Sequence, residues 1–175
     1  MQKILVVVDM QNDFIDGALG TKEAVAIVPN VKAKIESFDG KVIFTRDTHP
    51  ESYLESQEGK NLPVSHCIKG SDGWQISPEL IGFCKDEPID KPTFGSVELG
   101  ELLKKENDAE SIESITFIGL CTDICVISNA MIAKAFLPEV KIIVDAACCA
   151  GVSPETHKNA LSAMKVCQIT VENEE

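Results

Sequence analysis

Several features that would direct this 175-residue chain to a membrane, a nucleic acid or a secretory pathway are absent from its sequence. No apolar run approaches the ~20 residues that a membrane-spanning helix needs. The opening MQKILVVVDMQ meets an acidic residue too early for the apolar core of a signal peptide. No basic cluster accompanies the net charge of −12, which disfavours nucleic acids and anionic membranes as partners. We therefore expect a soluble, cytoplasmic protein that acts on small molecules.

Repeats, low-complexity tracts and a second domain are also missing, and the length fits a single domain over residues 1–175. The seven cysteines are an odd set without a secretion signal, and two of them, Cys148 and Cys149, are adjacent. A disulfide framework is therefore not expected, and reduced thiols are the default. Most of these cysteines, Cys148 and Cys149 included, are expected to pack as small hydrophobic residues.

Short apolar runs alternate with helical patterns along the chain. Five runs rich in β-branched residues predict strands: KILVVVD, KVIFTRD, SITFIGL, VKIIVDA and VCQITV. Their continuous apolarity is typical of strands buried on both faces of a parallel sheet. Helices are predicted at residues 29–38, 96–105, 122–136 and 154–164. Pro29 and Pro154 would lie in first turns. The alternation predicts an α/β fold, a three-layer sandwich with a mostly parallel, Rossmann-like sheet.

One long segment, from residue 47 to about residue 89, interrupts this alternation. It is rich in proline, glycine, serine and charge, and a compact domain rarely keeps so much irregular chain without a use for it. In open α/β sheets, ligands bind beyond the carboxyl ends of the strands. Asp9, Asp47, Cys121 and Asp145 all come at predicted strand ends. We therefore expect the functional site at this edge, with the irregular segment as a lid or binding loop.

The stretch ITFIGLCTDICV places Cys125 in the first turn of a helix, with Thr122 as its N-cap. A thiol there is close to the positive end of the helix dipole and to free backbone N–H groups, which stabilise a thiolate and can bind an oxyanion. Attack on a carbonyl also needs a base, for which Asp9 is the best placed carboxylate. Lys91, in PIDKPTFGS, is the candidate cation. Each residue alone has an ordinary explanation, as a packed thiol, a turn residue and a surface charge.

Two of the three histidines, His49 and His66, lie in the irregular segment, and Asp47 precedes His49 by two residues. Two imidazoles and a carboxylate suit a divalent ion such as Zn²⁺, Mn²⁺ or Fe²⁺. The period of two along a strand allows Asp47 and His49 to point to the same side. Unliganded surface residues are the alternative interpretation of the same pattern.

Three of these stretches, taken in order, resemble the motifs of the isochorismatase-like cysteine hydrolases. VVVDMQNDF is similar to the family's opening strand, DKPTFGS to its lysine segment and GLCTDICV to its nucleophile motif. The resemblance implies the isochorismatase-like hydrolase fold, with Cys125 as nucleophile, Asp9 as general base and acid, and Lys91 as third member of a catalytic triad. It also implies a cis peptide between Leu120 and Cys121, and an oxyanion hole formed by the backbone N–H groups of Cys121 and Cys125. Family members commonly assemble, so a homo-oligomer is expected.

The irregular segment resembles one branch of this family, the nicotinamidases. These pair a D-x-H after the second strand with a later histidine, in a segment similar to PVSHCIKGSDG. The resemblance implies a metal-binding loop region at about 47–89, with a divalent ion on Asp47, His49 and His66. Zinc is the first candidate, followed by manganese and iron. The ion would hold the pyridine nitrogen of a substrate directly or through water. Glu58 is an additional candidate ligand.

The substrate pocket is the least determined part of the resemblance. It implies aromatic walls from Phe14 and Phe94, although both residues could equally belong to the core. Leu62 stands where nicotinamidases usually carry a tryptophan or phenylalanine, and one extra residue precedes His66. Trp74 is either a replacement wall or a loop anchor. Substrate identity is therefore more open than reaction class.

The activity implied by the resemblance is that of a metal-containing cysteine amidohydrolase. It would convert nicotinamide to nicotinate and ammonia through a thioester acyl-enzyme, a reaction of NAD salvage. One alternative is the same triad acting without a metal on another small amide, carbamoyl or ureido compound. A second alternative is a non-catalytic or oxidant-sensing thiol protein, for which Cys148 and Cys149 are candidate residues. His157, on the last predicted helix, is expected at the surface.

Overall fold

A six-stranded sheet forms the centre of the protein in the computed structural model, which describes residues 1–174. The strands are β1 (Gln2–Val8), β2 (Lys41–Asp47), β3 (Ile89–Lys91), β4 (Ile112–Leu120), β5 (Lys141–Ala150) and β6 (Thr170–Glu172). Their spatial order is β3-β2-β1-β4-β5-β6, and every neighbouring pair runs parallel. The predicted α/β fold with a mostly parallel, Rossmann-like sheet is confirmed.

Helices cover both faces of this sheet. They are α1 (Asn12–Ile15), α2 (Lys22–Ser37), α3 (Gln57–Asn61), α4 (Val97–Ala109), α5 (Ile127–Phe136) and α6 (Pro154–Val166). A single π-helical turn, Thr122–Val126, precedes α5. Within the described part of the chain, none of the helices has both the length and the apolar character needed to cross a membrane.

Alternate residues of β1 pack into two separate cores. Ile4, Val6 and Val8 pack with α4, α5 and α6 on one face of the sheet. Leu5 and Val7 pack with α1 and α2 on the other face. All five side chains are fully buried, and each such burial contributes about 1.5–3 kcal/mol. Burial on both faces explains why the strand sequence is continuously apolar.

The prediction that a helix starts at Pro29 is wrong, because α2 already begins at Lys22. The hydroxyl of Thr21 accepts the N–H of Ala24 at 3.0 Å and caps the helix well before Pro29. Pro29 lies in the helix interior instead, where it has no N–H to donate. The helix keeps its apolar face across the proline because Val31 packs into the core.

The strand β3 is not predicted by the sequence, because Ile89 is its only apolar residue. It extends the sheet beside β2, where Asp47 pairs with Lys91 in register. This pairing brings Lys91 to the carboxyl edge of the sheet. The rest of the irregular segment contains only α3 and single 3₁₀ turns at Tyr53–Glu55 and Ile81–Phe83.

Three further details differ from the sequence predictions. The last helix continues through Val166, so the last strand is shorter than predicted. Thr122 does not cap a helix, because its buried hydroxyl lies 2.7 Å from the Nδ1 of His157, which is half-buried rather than a surface residue. Asp145 does not end a strand either, since β5 continues five residues beyond it. Its Oδ2 pairs with the Nζ of Lys34 at 2.7 Å.

Candidate active site

Three polar residues at the carboxyl ends of β1, β3 and β4 meet in the interior. Asp9 follows β1, Lys91 ends β3, and Cys125 lies in the π-helical turn after β4. The Nζ of Lys91 is 2.7 Å from the Oδ2 of Asp9 and 3.6 Å from the Sγ of Cys125. Asp9 and Lys91 are fully buried, and only 4% of Cys125 is exposed. The structure thus brings together the three residues that the sequence predicts as a triad.

The Asp9 carboxyl group is held on both oxygens. Thr45 donates its hydroxyl hydrogen to Oδ1 at 2.7 Å, while the Lys91 ammonium contacts Oδ2. Burial raises the pKa of Asp9 above its ordinary value of 3.8. Lys91 and the Thr45 hydroxyl oppose this shift, and the nearby Asp47 reinforces it. A carboxyl group with a raised pKa can accept a proton and later return it, as a general base and acid must.

The surroundings of the Cys125 thiol disfavour loss of its proton. Burial raises its pKa well above the ordinary value of 9.0, Asp9 adds to this shift, and Lys91 opposes it. Burial opposes the expected stabilisation of a thiolate at the helix start, which stays a prediction. Nucleophilic attack by this thiol needs a base, and Asp9 is the neighbouring one.

The peptide bond between Leu120 and Cys121 is cis, which confirms the expectation from the resemblance. The Cys121 carbonyl accepts the N–H groups of Ile124 at 3.1 Å and Val126 at 3.0 Å, so the chain folds back immediately after β4. Cys121 and Cys125 line the same cavity. Use of their backbone N–H groups as an oxyanion hole stays a prediction.

Four potential metal ligands converge beside the triad: Asp47, His49, Glu58 and His66. One ligand atom of each lies within 4.8 Å of the others. The Nε2 of His49 is 2.9 Å from the Oδ2 of Asp47 and 3.5 Å from the Oε1 of Glu58. The Nε2 of His66 is 3.6 Å and 3.8 Å from the same two oxygens. The additional candidate Glu58 is brought into the group, hereafter the metal group, by the short helix α3.

The two imidazoles of the metal group are oriented by their surroundings. The Nδ1 of His66 is 2.8 Å from the carbonyl oxygen of Val64, so a neutral ring donates there and keeps Nε2 free to coordinate. The ring of Tyr53 packs against both histidines, with centroid distances of 4.7 Å to His49 and 4.9 Å to His66. The Tyr53 hydroxyl donates to the carbonyl of Leu62 at 3.0 Å, which fixes the ring in place.

The charges of the metal group are only partly compensated. Burial disfavours ionisation of Asp47, but the neighbouring His49 and His66 side chains and the Lys91 cation hold its pKa below the ordinary value of 3.8. Burial raises the pKa of Glu58, with the histidines opposing and Asp47 reinforcing that shift. Burial lowers the pKa of His66, yet Asp47 and the other acceptors raise it overall. A bound cation would compensate both carboxylates.

One buried oxygen in the metal group has no hydrogen-bond donor among the residues that the structure describes. This atom is the Oδ1 of Asp47, and its nearest cation is the Nζ of Lys91 at 3.5 Å. A buried acceptor without a donor costs free energy, which coordination to a metal would recover. Imidazole and carboxylate ligands together are typical of zinc, manganese and iron sites. These residues therefore fit a divalent metal ion, and Lys91 connects the metal group to the triad.

A cavity of about 170 Å³ opens onto both the triad and the metal group. Apolar side chains form most of its wall: Phe14, Leu19, Leu62, Phe94, Leu120, Ile124 and Val152. Cys125 lies in the wall, together with Asp47, Glu58 and His66, whereas no lysine or arginine lines the cavity in the described part of the chain. Pockets for drug-sized ligands span roughly 300–1,000 Å³, so this one suits a small, mostly apolar ligand.

The three residues predicted as pocket walls all line this cavity. Phe14 is buried, whereas Phe94 and Leu62 are 40% and 39% exposed. Trp74 is not among the lining residues. Its indole N–H donates to the Thr48 hydroxyl at 2.8 Å, and its ring is covered by the guanidinium of Arg46 at 3.7 Å. Trp74 is therefore a loop anchor, and it does not replace the missing aromatic wall at Leu62.

Two residues that support the site were missed by sequence reasoning. Thr45 holds the Asp9 carboxyl group. The sequence signal for this role is a polar residue directly after the apolar run VIF. Tyr53 packs against the metal group and is the only tyrosine of the chain, but its position in the irregular segment carries no periodic pattern. Only the folding of that segment brings Tyr53 to the histidines.

The remaining cysteines form no second reactive centre that the structure supports. All seven thiols are free, and Cys148 and Cys149 are buried in β5. Burial raises the pKa of Cys148 to about 12 and also raises that of Cys149. Thiols with raised pKa values are poor nucleophiles near neutral pH. The expectation that this pair is simply packed in the interior agrees with these surroundings.

Known proteins are similar to this chain along its whole length. A family model for the isochorismatase domain matches residues 3–175. A nicotinamidase of Schizosaccharomyces pombe is 26% identical over 207 aligned positions, which cover 97% of this chain and 92% of the relative. The crystal structure of a pyrazinamidase of Pyrococcus horikoshii in complex with zinc is 28% identical, with a TM-score of 0.80 and coverage of 98% of each chain. The crystal structure of N-carbamoylsarcosine amidase from Thermoplasma acidophilum is 29% identical, with a TM-score of 0.75 and coverage of 100% of this chain and 99% of the other.

Proposed function

The chain belongs to the isochorismatase domain family, and from this premise we propose that it is a cysteine amidohydrolase that converts nicotinamide to nicotinate and ammonia. One observation carries the proposal: Cys125 of the triad and three residues of the metal group line the same small, mostly apolar cavity. A flat pyridine carboxamide matches this arrangement. Its ring would lie between Phe14 and Phe94, while its amide carbon faces the sulfur of Cys125.

The chemistry of the proposed reaction begins with one proton transfer. Asp9 takes the proton of the Cys125 thiol as the sulfur bonds to the amide carbon, and a tetrahedral intermediate forms. The backbone N–H groups of Cys121 and Cys125 donate to its negatively charged oxygen. Asp9 then gives its proton to the amide nitrogen, the C–N bond breaks, and ammonia leaves a thioester on Cys125.

The second half of the reaction releases the acid. Asp9 takes a proton from a water molecule as the water oxygen bonds to the thioester carbon. The C–S bond then breaks, the proton on Asp9 returns to the sulfur of Cys125, and the product leaves as nicotinic acid, which loses its remaining acidic proton to solvent to give nicotinate. Lys91 stays protonated throughout, because the neighbouring Asp9, Cys125 and Asp47 raise its pKa despite its burial. Its fixed positive charge stabilises whichever of Asp9 and Cys125 is the anion.

The metal group would hold a divalent ion, and we propose zinc as the first candidate, with manganese and iron as alternatives. Asp47, His49, Glu58 and His66 would be its ligands. When bound, the ion supplies a Lewis-acidic position that a pyridine nitrogen or water can occupy. Three of these side chains, Asp47, Glu58 and His66, form part of the cavity wall and would face the ring of the substrate.

The competing function is hydrolysis of a carbamoyl or ureido compound by the same triad. N-carbamoylsarcosine, the substrate named for one similar structure, carries a carboxylate. The cavity offers the carboxylates of Asp47 and Glu58, but no lysine or arginine from the described residues. The net charge of −12 adds to the repulsion of anions. A neutral carboxamide therefore suits this cavity better than an anionic carbamoyl compound.

Ammonia release from nicotinamide by the purified protein tests the proposal. We expect activity in the unmodified protein and in Cys84→Ala, which removes a half-exposed thiol outside the cavity. We expect no activity in Cys125→Ala and a large loss in Asp47→Ala. N-carbamoylsarcosine serves as the comparison substrate, and mass spectrometry measures bound metal. Hydrolysis of N-carbamoylsarcosine with no turnover of nicotinamide would refute the substrate assignment. Full activity of Cys125→Ala would refute the mechanism.

We further propose that the protein is a cytoplasmic homo-oligomer that serves NAD salvage, as the resemblance implies. Light scattering coupled to size-exclusion chromatography measures the oligomeric state. A monomer at all micromolar concentrations would contradict that part of the proposal without affecting the chemistry at Cys125.

A further inference from the structure

Two polar side chains between β1 and Phe14 have no role in the reaction described above. Gln11 is fully buried, and Asp13 is partly buried. Both side chains bond to backbone groups of the segments that carry the metal group. They belong to the same short stretch of chain as the triad residue Asp9. This stretch therefore contacts the triad, the cavity wall and the metal group at once.

The Gln11 amide makes three hydrogen bonds. Its Oε1 accepts the N–H of Asp47 at 2.7 Å, and its Nε2 donates to the carbonyl of Asp47 at 2.8 Å. The second Nε2 hydrogen is donated to the carbonyl of Trp74 at 2.9 Å. Both donors of the amide are used, so the reversed orientation of the amide would leave these groups unmatched. Gln11 thus clamps the backbone of the first metal-group residue to the end of β1.

The Asp13 carboxylate holds the opposite side of the metal group. Its Oδ2 accepts the N–H of Cys67 at 2.8 Å, directly after His66. The carbonyl of Cys67 accepts the N–H of His49 at 2.9 Å, so the same residue ties both histidines together. A Cβ on Gly73 would lie 2.1 Å from the Oδ2 of Asp13, so the carboxylate can take this position only beside a glycine.

We propose that Gln11 and Asp13 are positioning residues that hold Asp47 and His66 at the separation a divalent metal requires. They bond to the backbone of the ligand-bearing segments and do not reach the metal itself. Partners of this kind typically change metal affinity by about 10–100-fold when they are removed. The inference rests on the proposed metal site, but it is independent of which amide is the substrate.

The dissociation constant for Mn²⁺, measured by isothermal titration calorimetry, tests this role. Manganese is chosen because it prefers carboxylate and imidazole to the seven thiols of this chain. Gln11→Met keeps the side-chain length and removes the amide, Asp13→Ala removes the acceptor, and Asp13→Asn keeps one carbonyl oxygen. Asn12→Ala is the matched control, because the Nδ2 of Asn12 donates to the carbonyl of Asp72 at 2.8 Å in the same segment without contacting the metal group.

We expect the dissociation constant to rise about 10–100-fold in Gln11→Met and Asp13→Ala. It should recover most of the way in Asp13→Asn and remain unchanged in Asn12→Ala. A second readout separates positioning from general destabilisation. Saturating Mn²⁺ raises the free energy of unfolding. In the two variants this increase should be smaller by about 1.4–2.7 kcal/mol, which is the equivalent of the 10–100-fold change in affinity. A purely structural role would lower the stability of the metal-free protein and leave this increment unchanged.

Unchanged Mn²⁺ affinity in folded Asp13→Ala and Gln11→Met would overturn the inference. If Gln11→Met does not fold by circular dichroism, Asp13→Ala decides the result alone. Wild-type protein that hydrolyses nicotinamide and binds Mn²⁺, with variants of equal affinity, would refute only the positioning role. Wild-type protein that binds no divalent metal would overturn both this inference and the proposed metal site.

Discussion

We expect the substitution Lys91→Met to abolish the proposed activity and to destabilise the folded protein. The Nζ of Lys91 lies 2.7 Å from the Oδ2 of Asp9 and 3.5 Å from the Oδ1 of Asp47, and it donates to the carbonyl of Thr93 at 3.0 Å. The lysine side chain is fully buried. Methionine keeps most of its aliphatic volume, so the main change is the loss of a positive charge between two buried carboxylates.

The size of this destabilisation follows from the burial. Removing one partner of a buried ion pair costs about 3–5 kcal/mol, because the remaining charge stays in a medium of low dielectric constant. For a chain of 175 residues, each kcal/mol lowers the melting temperature by about 2–4 °C. The expected decrease is therefore about 6–20 °C. Loss of the charge that stabilises Asp9 and the sulfur should also slow nicotinamide hydrolysis by at least about 100-fold.

The destabilisation should depend on pH in a defined direction. Without Lys91, the folded-state pKa values of Asp9 and Asp47 both rise, and the variant prefers protonated carboxyl groups. Stability from a raised carboxyl pKa is present at low pH and is lost as the pH rises through the folded value. In the wild type, the pKa of Lys91 is raised above 10.5, so its contribution is constant between pH 5 and pH 8. The variant should therefore lose more stability at pH 8 than at pH 5.

Thermal and urea unfolding at pH 5 and pH 8 measure this difference, with Lys34→Met as the matched control. Lys34 also lies 2.7 Å from a carboxylate, the Oδ2 of Asp145, but its side chain is 26% exposed and distant from the triad. Only one carboxylate loses its cation in that variant, and the Nδ2 of Asn173 still donates to the Oδ1 of Asp145 at 3.0 Å, so the loss should be smaller. A Lys91→Met protein that loses no more stability than Lys34→Met, or loses equal stability at both pH values, would refute the reasoning.

Three further predictions concern single sites. Alkylation of Cys125 by iodoacetamide, followed by mass spectrometry, should be slow at pH 7 and accelerate only above pH 9, because burial raises its thiol pKa; rapid reaction at pH 7 would contradict this assignment. Gly119→Ala should cost at least about 1–3 kcal/mol in urea unfolding, since φ is 116° and the new Cβ would lie 2.1 Å from the carbonyl oxygen of Val8. Gly82→Ala, whose Cβ meets nothing within 4 Å, is its control and should be nearly neutral. Glu58→Gln should weaken Mn²⁺ binding in calorimetry while leaving the melting temperature of the metal-free protein within a few degrees, and equal binding would exclude Glu58 as a ligand.

The triad could be predicted from sequence because of a general property of parallel sheets. Residues that follow adjacent strands share one edge of the sheet, so Asp9 and Cys125 were expected to be close without any structure. The position of Lys91 was harder to predict, because its strand has one apolar residue and no periodic pattern. Its complete burial is also unlike that of an ordinary lysine. The motif resemblance, rather than the apolar pattern, predicted its place.

Other features depended on contacts that local sequence patterns do not contain. The hydrogen bond between Thr122 and His157 joins residues 35 positions apart, so the local signal at Thr122 wrongly predicted a helix cap. The start of α2 was misplaced because a proline signal at Pro29 competed with a real cap at Thr21. The clamp that Gln11 forms on Asp47 likewise needs the strand order, because the two residues are distant in sequence.

The proton inventory of the triad explains why a buried thiol with a raised pKa can still be a nucleophile. In the proposed mechanism the site starts as a thiol, a carboxylate and an ammonium group, since the neighbouring acids raise the pKa of Lys91. Transfer of the thiol proton to Asp9 gives a thiolate, a carboxyl group and the same ammonium group, so the total charge is unchanged. Lys91 is 2.7 Å from the Oδ2 of Asp9 and 3.6 Å from the Sγ of Cys125, and its charge therefore stabilises the anion on either side. Burial also raises the pKa of Asp9, which makes this carboxylate a stronger base than an exposed one. Burial thus raises the pKa of the sulfur, while Asp9 and Lys91 make its ionisation accessible during attack.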